Sequence, residues 1–191
     1  TLICEQIEHI HNVSCFSNTE ADVETSTEWE ASLPSLVGEK GTDILSIAQS
    51  QLGYKESESN FELAEDGHTK RGITRYGQWY GNPYGDWANM FTSFCLRYAG
   101  VSAELLNSGA EVMLNKWQES KLYRDAKDYV PSAGDVAFLD KNANGTVDTT
   151  AIVVYLSNGS LTVIEGDVDN AVVQSVYAVN NDVVVGYGIS S

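Results

Sequence analysis

The feature that most constrains the fold is a change of hydrophobic period near the middle of the 191-residue chain. In the first half, apolar residues recur three or four positions apart, most clearly from Trp87 to Tyr98. From Asp135 onward they form short β-branched or aromatic runs instead, and Asn-Gly pairs at 144–145 and 158–159 separate some of these runs as hairpin turns do. Helices followed by antiparallel strands predict an α+β domain, with helices packed on an antiparallel sheet.

Individual elements follow from the same signals. Thr42 or Asp43 can cap a first helix that Gly53 closes, and its apolar stripe is Ile44, Ile47, Ala48 and Leu52. Residues 54–86 are predicted to form a loop, 87–98 a helix that ends before Gly100, and 103–119 a second helix or a pair of turns. The predicted strands are 135–139, 150–156, 161–165, 172–176 and 183–187.

The charge of the chain excludes several classes of partner. Its 27 Asp and Glu residues against 11 Lys and Arg residues give a formal net charge of −16. Nucleic acids and anionic membranes are therefore poor partners, and strong acidity favours a soluble, secreted monomer. No stretch approaches the roughly 18 apolar residues that a membrane span needs. The chain opens at Thr1 without a signal pattern, which suggests a mature form or fragment of a longer protein.

Residues 1–38 differ from the rest of the chain. They hold two of the three cysteines, two of the three histidines and an acidic, Ser/Thr-rich run from Ser17 to Ser32. The sequence therefore predicts two parts: residues 1–38, a Cys/His element with an acidic linker, and residues 39–191, the main domain. An odd number of cysteines argues against a complete disulfide framework.

Five ordered motifs in the main domain resemble one family. They are IAQSQLGY (47–54), TRYGQWYG (74–81), PSAGDV (131–136), IEGD (164–167) and VGYG (185–188). From Asp43 to Gly188, the sequence resembles the CHAP branch of the NlpC/P60-like cysteine amidases, and is most similar to versions in surface proteins of Gram-positive gut bacteria. The resemblance implies a papain-like fold, an activity on the peptide stem of peptidoglycan, and a secreted or cell-surface location.

The positions that carry the family's chemistry differ here. The family phrase W-C-A-M-F-x-S-x-C reads WANMFTSFC at 87–95, so that Ala88 stands at the nucleophile position. The phrase D-H-V-G-I-V reads DTTAIV at 148–153, so that Thr149 stands at the position of the general base. Glu165 and Asp167 match the third polar group that orients the histidine. A methyl group and a hydroxyl cannot replace a thiolate and an imidazole, so the resemblance implies an inactive enzyme.

No other residue is expected to take over the chemistry. Cys95 matches the family's second, non-catalytic cysteine and is expected in the core, and His68 lies in a charged loop and is expected at the surface. Ser93 and Thr92 have no imidazole partner. An engineered Cys→Ala change would explain Ala88 but not Thr149, so natural loss is favoured.

Two segments could hold a metal ion. Cys4, His9, His11 and Cys15 resemble a short element of surface proteins from the same bacteria, and two thiolates with two imidazoles form a complete tetrahedral zinc set. The alternative is a Cys4–Cys15 disulfide, which suits an oxidising exterior. Residues 140–148 imitate an EF-hand loop with Asp140, Asn142, Asn144 and Asp148, but Ala151 replaces the bidentate Glu, so at most weak calcium binding is expected.

Three hypotheses for the function remain open. The first is a binding module whose groove takes a peptidoglycan stem peptide or a surface protein. The second is an active amidase or endopeptidase, either present here in a mutated form or using catalytic residues other than those matched to the family. The third is a spacer or adhesin unit. The residues expected to line the groove are Trp79, Tyr80, Tyr84, Asp86 and Trp87.

Overall fold

The computed structural model describes residues 16–179 and 182–190. Its helices are α1 (Ser26–Ala31), α2 (Lys40–Ser50), α3 (Arg75–Tyr80), α4 (Ala88–Tyr98) and α5 (Ala110–Glu119), with a 3₁₀ turn at Ala103–Leu105. Its strands are β1 (Phe61–Leu63), β2 (Lys70–Gly72), β3 (Tyr123–Asp125), β4 (Val136–Leu139), β5 (Thr149–Ser157), β6 (Ser160–Val168), β7 (Ala171–Ala178) and β8 (Val184–Gly188). None of the helices in these ranges is long and apolar enough to cross a membrane.

Six strands form one antiparallel sheet in the order β3-β8-β4-β5-β6-β7, and β1 pairs with β2 separately. This confirms the predicted α+β class and antiparallel sheet. Asn158 and Gly159 form the two-residue turn between β5 and β6, with φ values of 50° and 74°. Such left-handed turns match the twist of paired strands, which is why Asn-Gly predicts a hairpin here. The pair at 144–145 lies within a longer loop between β4 and β5.

The core has one cluster on each face of the sheet. The first cluster lies between the sheet and the helices, and the α4 residues Phe91, Phe94, Cys95 and Leu96 in it are fully buried. The burial of Cys95 confirms the prediction. The second cluster covers the other face of β4, β5, β6 and β8.

Residues 16–38 are packed on the domain where the composition predicts an acidic linker. Thr25 caps α1 through a capping box with Glu28. Trp29 is 8% exposed, and its Nε1 donates to the hydroxyl of Tyr98 at 2.8 Å. Acidic and hydroxyl side chains therefore serve as helix caps and anchors in this segment.

Two further expectations need correction. Helix α2 begins at Lys40, and the carboxylate of Asp43 accepts hydrogen bonds from the backbone of Val37 and Gly38 instead of capping the helix. Leu52 follows the end of the helix and is 42% exposed. The loop predicted for residues 54–86 contains β1, β2 and α3, elements of three to six residues that are too short to show a hydrophobic period.

Candidate binding site at the start of helix α4

Trp87 anchors the first turn of α4. Its indole ring is 1% exposed and stacks on Tyr76, with ring centroids 5.3 Å apart and planes inclined by 17°. Its Nε1 donates to the carboxylate of Glu56 at 3.0 Å. The ring therefore belongs to the core and fixes where the helix begins, although the sequence analysis placed it in the lining of a groove.

Two carboxylates occupy the amino end of this helix. The backbone N–H of Trp87 donates to Asp167 at 3.2 Å, and that of Ala88 donates to Asp86 at 3.3 Å. The free N–H groups of a helix start favour negative charge, and here the chain supplies it. Ala88 itself is half-buried, and its methyl group offers no nucleophile.

The next residues join α4 to the sheet. The hydroxyl of Thr150 on β5 donates to the side-chain oxygen of Asn89 at 2.8 Å, and the hydroxyl of Thr92 donates to the carbonyl of Thr150 at 3.2 Å. On β6, Gly166 lies so close to the helix that a Cβ there would stand 2.6 Å from the Cβ of Phe91. Ala88 therefore lies between Trp87, whose N–H donates to Asp167 on β6, and Asn89, whose side-chain oxygen accepts from Thr150 on β5.

Thr149 lies on the opposite face of β5 from Thr150. Side chains alternate along a strand, and Ile152 belongs to the core cluster under the helices, whereas Ala151 and Val153 belong to the cluster on the other face. Thr149 shares that second face and is 6% exposed. The side-chain hydrogen bonds between α4 and β5 thus involve Thr150, the residue next to the predicted base position.

Glu165 lies on the same face as Thr149 and has two partners. The register that pairs Ile152 with Ile164 places Ala151 opposite Glu165, two residues along β5 from Thr149. The fully buried carboxylate accepts a hydrogen bond from Tyr177 at 2.8 Å and forms an ion pair with Lys141. Burial, followed by the charge of Glu165, raises the pKa of Tyr177. An ammonium and a phenol therefore satisfy the carboxylate that the family resemblance assigns to orienting a histidine.

Sequence reasoning missed both partners of Glu165. Lys141 lies in the loop that imitates an EF-hand, and Tyr177 lies just beyond the predicted strand 172–176, so no local pattern links either residue to Glu165. The one available signal was Glu165 itself, because a carboxylate within an apolar strand requires a partner.

Asp167, near the start of α4, has a carboxyl whose pKa is raised. Its backbone is left-handed, with a φ of 61°. Burial raises the pKa of its carboxyl to about 6, the N–H of Trp87 opposes that shift, and the nearby charges of Asp86 and Glu56 add to it. Such a carboxyl can exchange a proton near neutral pH, but the neighbouring residue of α4 offers only the methyl of Ala88.

Cys95 and His68, the one cysteine and the one histidine among the described residues, lie away from this site. Cys95 is fully buried, and burial raises the pKa of its thiol strongly. His68 is exposed in the turn between β1 and β2, as predicted. The hydroxyl of Ser93 donates to the carbonyl of Asn107 at 3.0 Å. Within the described ranges, no thiol or hydroxyl is therefore paired with an imidazole.

The five predicted groove residues do not form one surface. Trp79 contacts Phe94 and Tyr98 toward the carboxyl end of α4, about 9–15 Å along the helix axis from Ala88. The hydroxyl of Tyr80 accepts a hydrogen bond from the backbone of Ser108, also away from the first turn. Exposed Asp86 and half-buried Tyr84 remain near the start of α4.

A polar cavity of about 340 Å³ adjoins the start of α4 through Glu56. It lies between the 55–58 segment, β2 and the turn that joins β6 to β7. Two lysines and three carboxylates, those of Glu56, Glu58 and Asp169, give it charges of both signs. Its lining residues are Lys55, Glu56, Ser57, Glu58, Lys70, Asp169 and Asn170.

The two predicted metal segments have different outcomes. Cys4, His9, His11 and Cys15 lie outside the described residues. In the 140–148 loop, side-chain oxygens of Asp140, Asn142, Asn144 and Asp148 accept backbone N–H groups of the loop. Among the described residues, no three Asp, Glu, His or Cys side chains converge as a metal site would require.

Comparison with solved structures gives only weak likenesses, of which two are described here. No family model and no curated protein matches the sequence. The crystal structure of Ly7917 matches 78% of this chain at 14% identity with a TM-score of 0.48. The structure titled Ly7917 with the hydrolyzing product of MDP matches 79% at 14% identity with a TM-score of 0.49. The matched regions span only 62% and 63% of those chains. A likeness this weak carries no argument about the function of the present chain.

Proposed function

We propose that this chain is a non-catalytic binding module on a CHAP-type, papain-like amidase fold, and that its ligand is the peptide stem of peptidoglycan. The observation that carries the proposal is the junction between α4 and the sheet. It is hydrogen-bonded through Thr150 and closely packed at Gly166, yet Ala88 and Thr149 stand at the positions that match the family's nucleophile and base in sequence.

The loss of chemistry follows from the side chains present. Attack on an amide requires a nucleophile and a group that protonates the leaving amine. Ala88 provides neither, and the Thr149 hydroxyl does not titrate near neutral pH. The carboxylate of Glu165 is already bound to Lys141 and Tyr177, so it is not free to serve an imidazole.

The choice of ligand rests on the charges beside this junction. A stem peptide carries both amino and carboxyl groups, and the cavity next to Glu56 presents lysines and glutamates together. The net charge of −16 opposes polyanions such as nucleic acids. A small zwitterionic peptide is compatible with both features, and such a ligand places the protein at the cell wall or on the cell surface.

Binding can be tested by cosedimentation of the full chain with purified insoluble peptidoglycan. We expect binding that a free stem peptide displaces, with no release of soluble fragments. The variant Lys55→Glu reverses one charge of the cavity and should weaken binding about tenfold. Lys127→Glu is the matched control, because exposed Lys127 lies two residues after the end of β3, the opposite edge strand, and does not line this cavity, so the variant should bind as the unmodified chain does. Equal binding by both variants would contradict the assignment of the cavity.

Catalysis is tested by the single variant Ala88→Cys. The single variant should remain inactive, because carboxylates rather than an imidazole surround the new thiol and do not lower its pKa. The assay measures new amino groups released from peptidoglycan, with and without a thiol-alkylating reagent. Turnover by the unmodified chain that alkylation abolishes would instead identify an active cysteine hydrolase.

A further inference from the structure

Strand β7 forms one edge of the six-stranded sheet and is partly open. Its sequence, AVVQSVYA, contains no charged residue and no proline. Natural sheets usually protect such edges with lysine, proline, bulges or very short strands. The opposite edge strand, β3, has three residues, of which two are charged. The two edges therefore differ, and β7 is the one left available for pairing.

The hydrogen-bonding direction of each β7 residue can be assigned. Val172 points its backbone groups outward, because its N–H donates to Tyr54 and its carbonyl accepts from Gly53, both outside the sheet. Alternation along the strand then directs the N–H and C=O groups of Gln174, Val176 and Ala178 outward as well. In the described residues these three positions have no backbone partner on that side.

The open stretch has a defined length. At one end, residues 53–56 already cover the edge through an isolated bridge between Lys55 and Ala171. At the other end, β7 stops at Ala178, and the N–H of Val179 turns inward to the carbonyl of Gly159. The part of β7 that is free to pair therefore runs from Gln174 to Ala178, and other segments of the chain bound it at both ends. We call residues 174–178 the β7 window.

We propose that this window pairs with the same window of a second copy, so that two chains form one continuous antiparallel sheet. Pairing centred on Val176 places Val176 opposite its counterpart and Gln174 opposite Ala178 of the other copy. Three such pairs give about six hydrogen bonds. If the pairing were centred closer to Ala171, the second copy would collide with residues 53–56. Only the register centred on Val176 therefore pairs all of the residues 174–178 in both copies.

Two further features favour a second copy as the occupant. The window has no charged residue, although the chain has a net charge of −16. Two copies can therefore pair along it without placing like charges opposite each other. Val176 is also 62% exposed, and its cross-strand neighbours are Thr162 and then Tyr155, which is 54% exposed. Pairing continues this row across the two-fold axis and covers Val176 with its counterpart.

Sedimentation velocity of the full chain from about 1 to 200 μM tests the proposal, since a weak isologous dimer dissociates on dilution within this range. We expect a monomer–dimer equilibrium. Val176→Pro removes an outward N–H that the fold itself does not use, and proline is tolerated at such edge positions. It should raise the dissociation constant at least about tenfold without unfolding the chain. Val176→Lys, which sets two ammonium groups against each other, should have a larger effect.

Val130→Lys is the matched control, because Val130 is 75% exposed and lies outside the sheet. It should associate as the unmodified chain does. Amide hydrogen exchange gives a second measurement: the N–H groups of Gln174, Val176 and Ala178 should slow as concentration rises. A chain that remains monomeric over the whole range, or a Val176→Pro variant that associates equally well, would overturn the proposal. Strand addition by an unrelated peptide onto a strictly monomeric chain would also overturn it.

Discussion

The interior and the first turn of α4 belong to one helix but have opposite chemistry. In the interior, Phe91, Phe94 and Cys95 are fully buried, and the rings of Phe91 and Phe94 pack edge-on against Tyr76. At the first turn, the backbone N–H groups of Trp87 and half-buried Ala88 donate to the carboxylates of Asp167 and Asp86. The interior residues are therefore constrained by packing, whereas half-buried Ala88 lies outside the two core clusters. A change of side chain at residue 88 is therefore expected to disturb the fold less than a change in the interior of the helix.

The largest effect on this contrast is expected from Phe91→Ala. The change leaves a cavity between α4, Tyr76 and β6, and truncation of a buried Phe typically lowers the free energy of unfolding by about 3–5 kcal/mol. Urea unfolding followed by circular dichroism measures it. Tyr155→Ala, at a side chain that is 54% exposed, is the control and should change stability by about 0.5 kcal/mol or less. Equal losses in the two variants would contradict the contrast.

An intermediate effect is expected from Gly166→Ala at the contact between β6 and α4. The added Cβ would approach the Cβ of Phe91 to 2.6 Å and the ring of Trp87 to 2.9 Å, so the helix must move away from the sheet. Overpacking of this kind lowers the free energy of unfolding by about 1–3 kcal/mol. Gly159→Asn is a useful comparison, because nothing lies within 4 Å of its added Cβ and asparagine tolerates its φ of 74°. A Gly166→Ala protein as stable as the original would disprove the close approach.

The smallest effect, and one of opposite sign, is expected from Asp167→Asn. The pKa of Asp167 is raised from 3.8 to about 6, so the folded state binds this proton more tightly than the unfolded state does. The stability that this group contributes is complete below about pH 4 and is lost as pH rises through about 6. Asparagine avoids that loss, so the variant should be more stable at pH 8 by about 1–2 kcal/mol, with no such gain at pH 4.

The matched control for this pH dependence is Asp169→Asn. Asp169 has a left-handed backbone with a φ of 49°, but its side chain is exposed. It should show no comparable gain at pH 8. Unfolding midpoints measured from pH 4 to pH 8 distinguish the two variants, and parallel profiles for Asp167→Asn and the unmodified chain would show that Asp167 is not the titrating group.

Sequence reasoning recovered the longer elements of the fold and missed the short ones. Helix α4 has an apolar period over 11 residues, and the long strands have β-branched runs with an Asn-Gly turn between β5 and β6, so local signals are strong. Helix α3 has six residues, and β1 and β2 have three each, so their stability comes from packing rather than local preference. The acidic, Ser/Thr-rich composition around Trp29 is typical of a linker. The burial of its ring depends on contacts with distant parts of the chain, which a local pattern does not show.

For the candidate site, the sequence alone determined which side chains are present: a methyl at residue 88, a hydroxyl at residue 149 and carboxylates at residues 165 and 167. The tertiary structure decided what surrounds them. Lys141 reaches Glu165 from a distant loop, Thr150 rather than Thr149 bonds to α4, and Trp79 lies toward the far end of the helix. The physical reason is that the sequence specifies each side chain directly. Ion pairs, strand faces and pKa values depend instead on residues that only folding brings together.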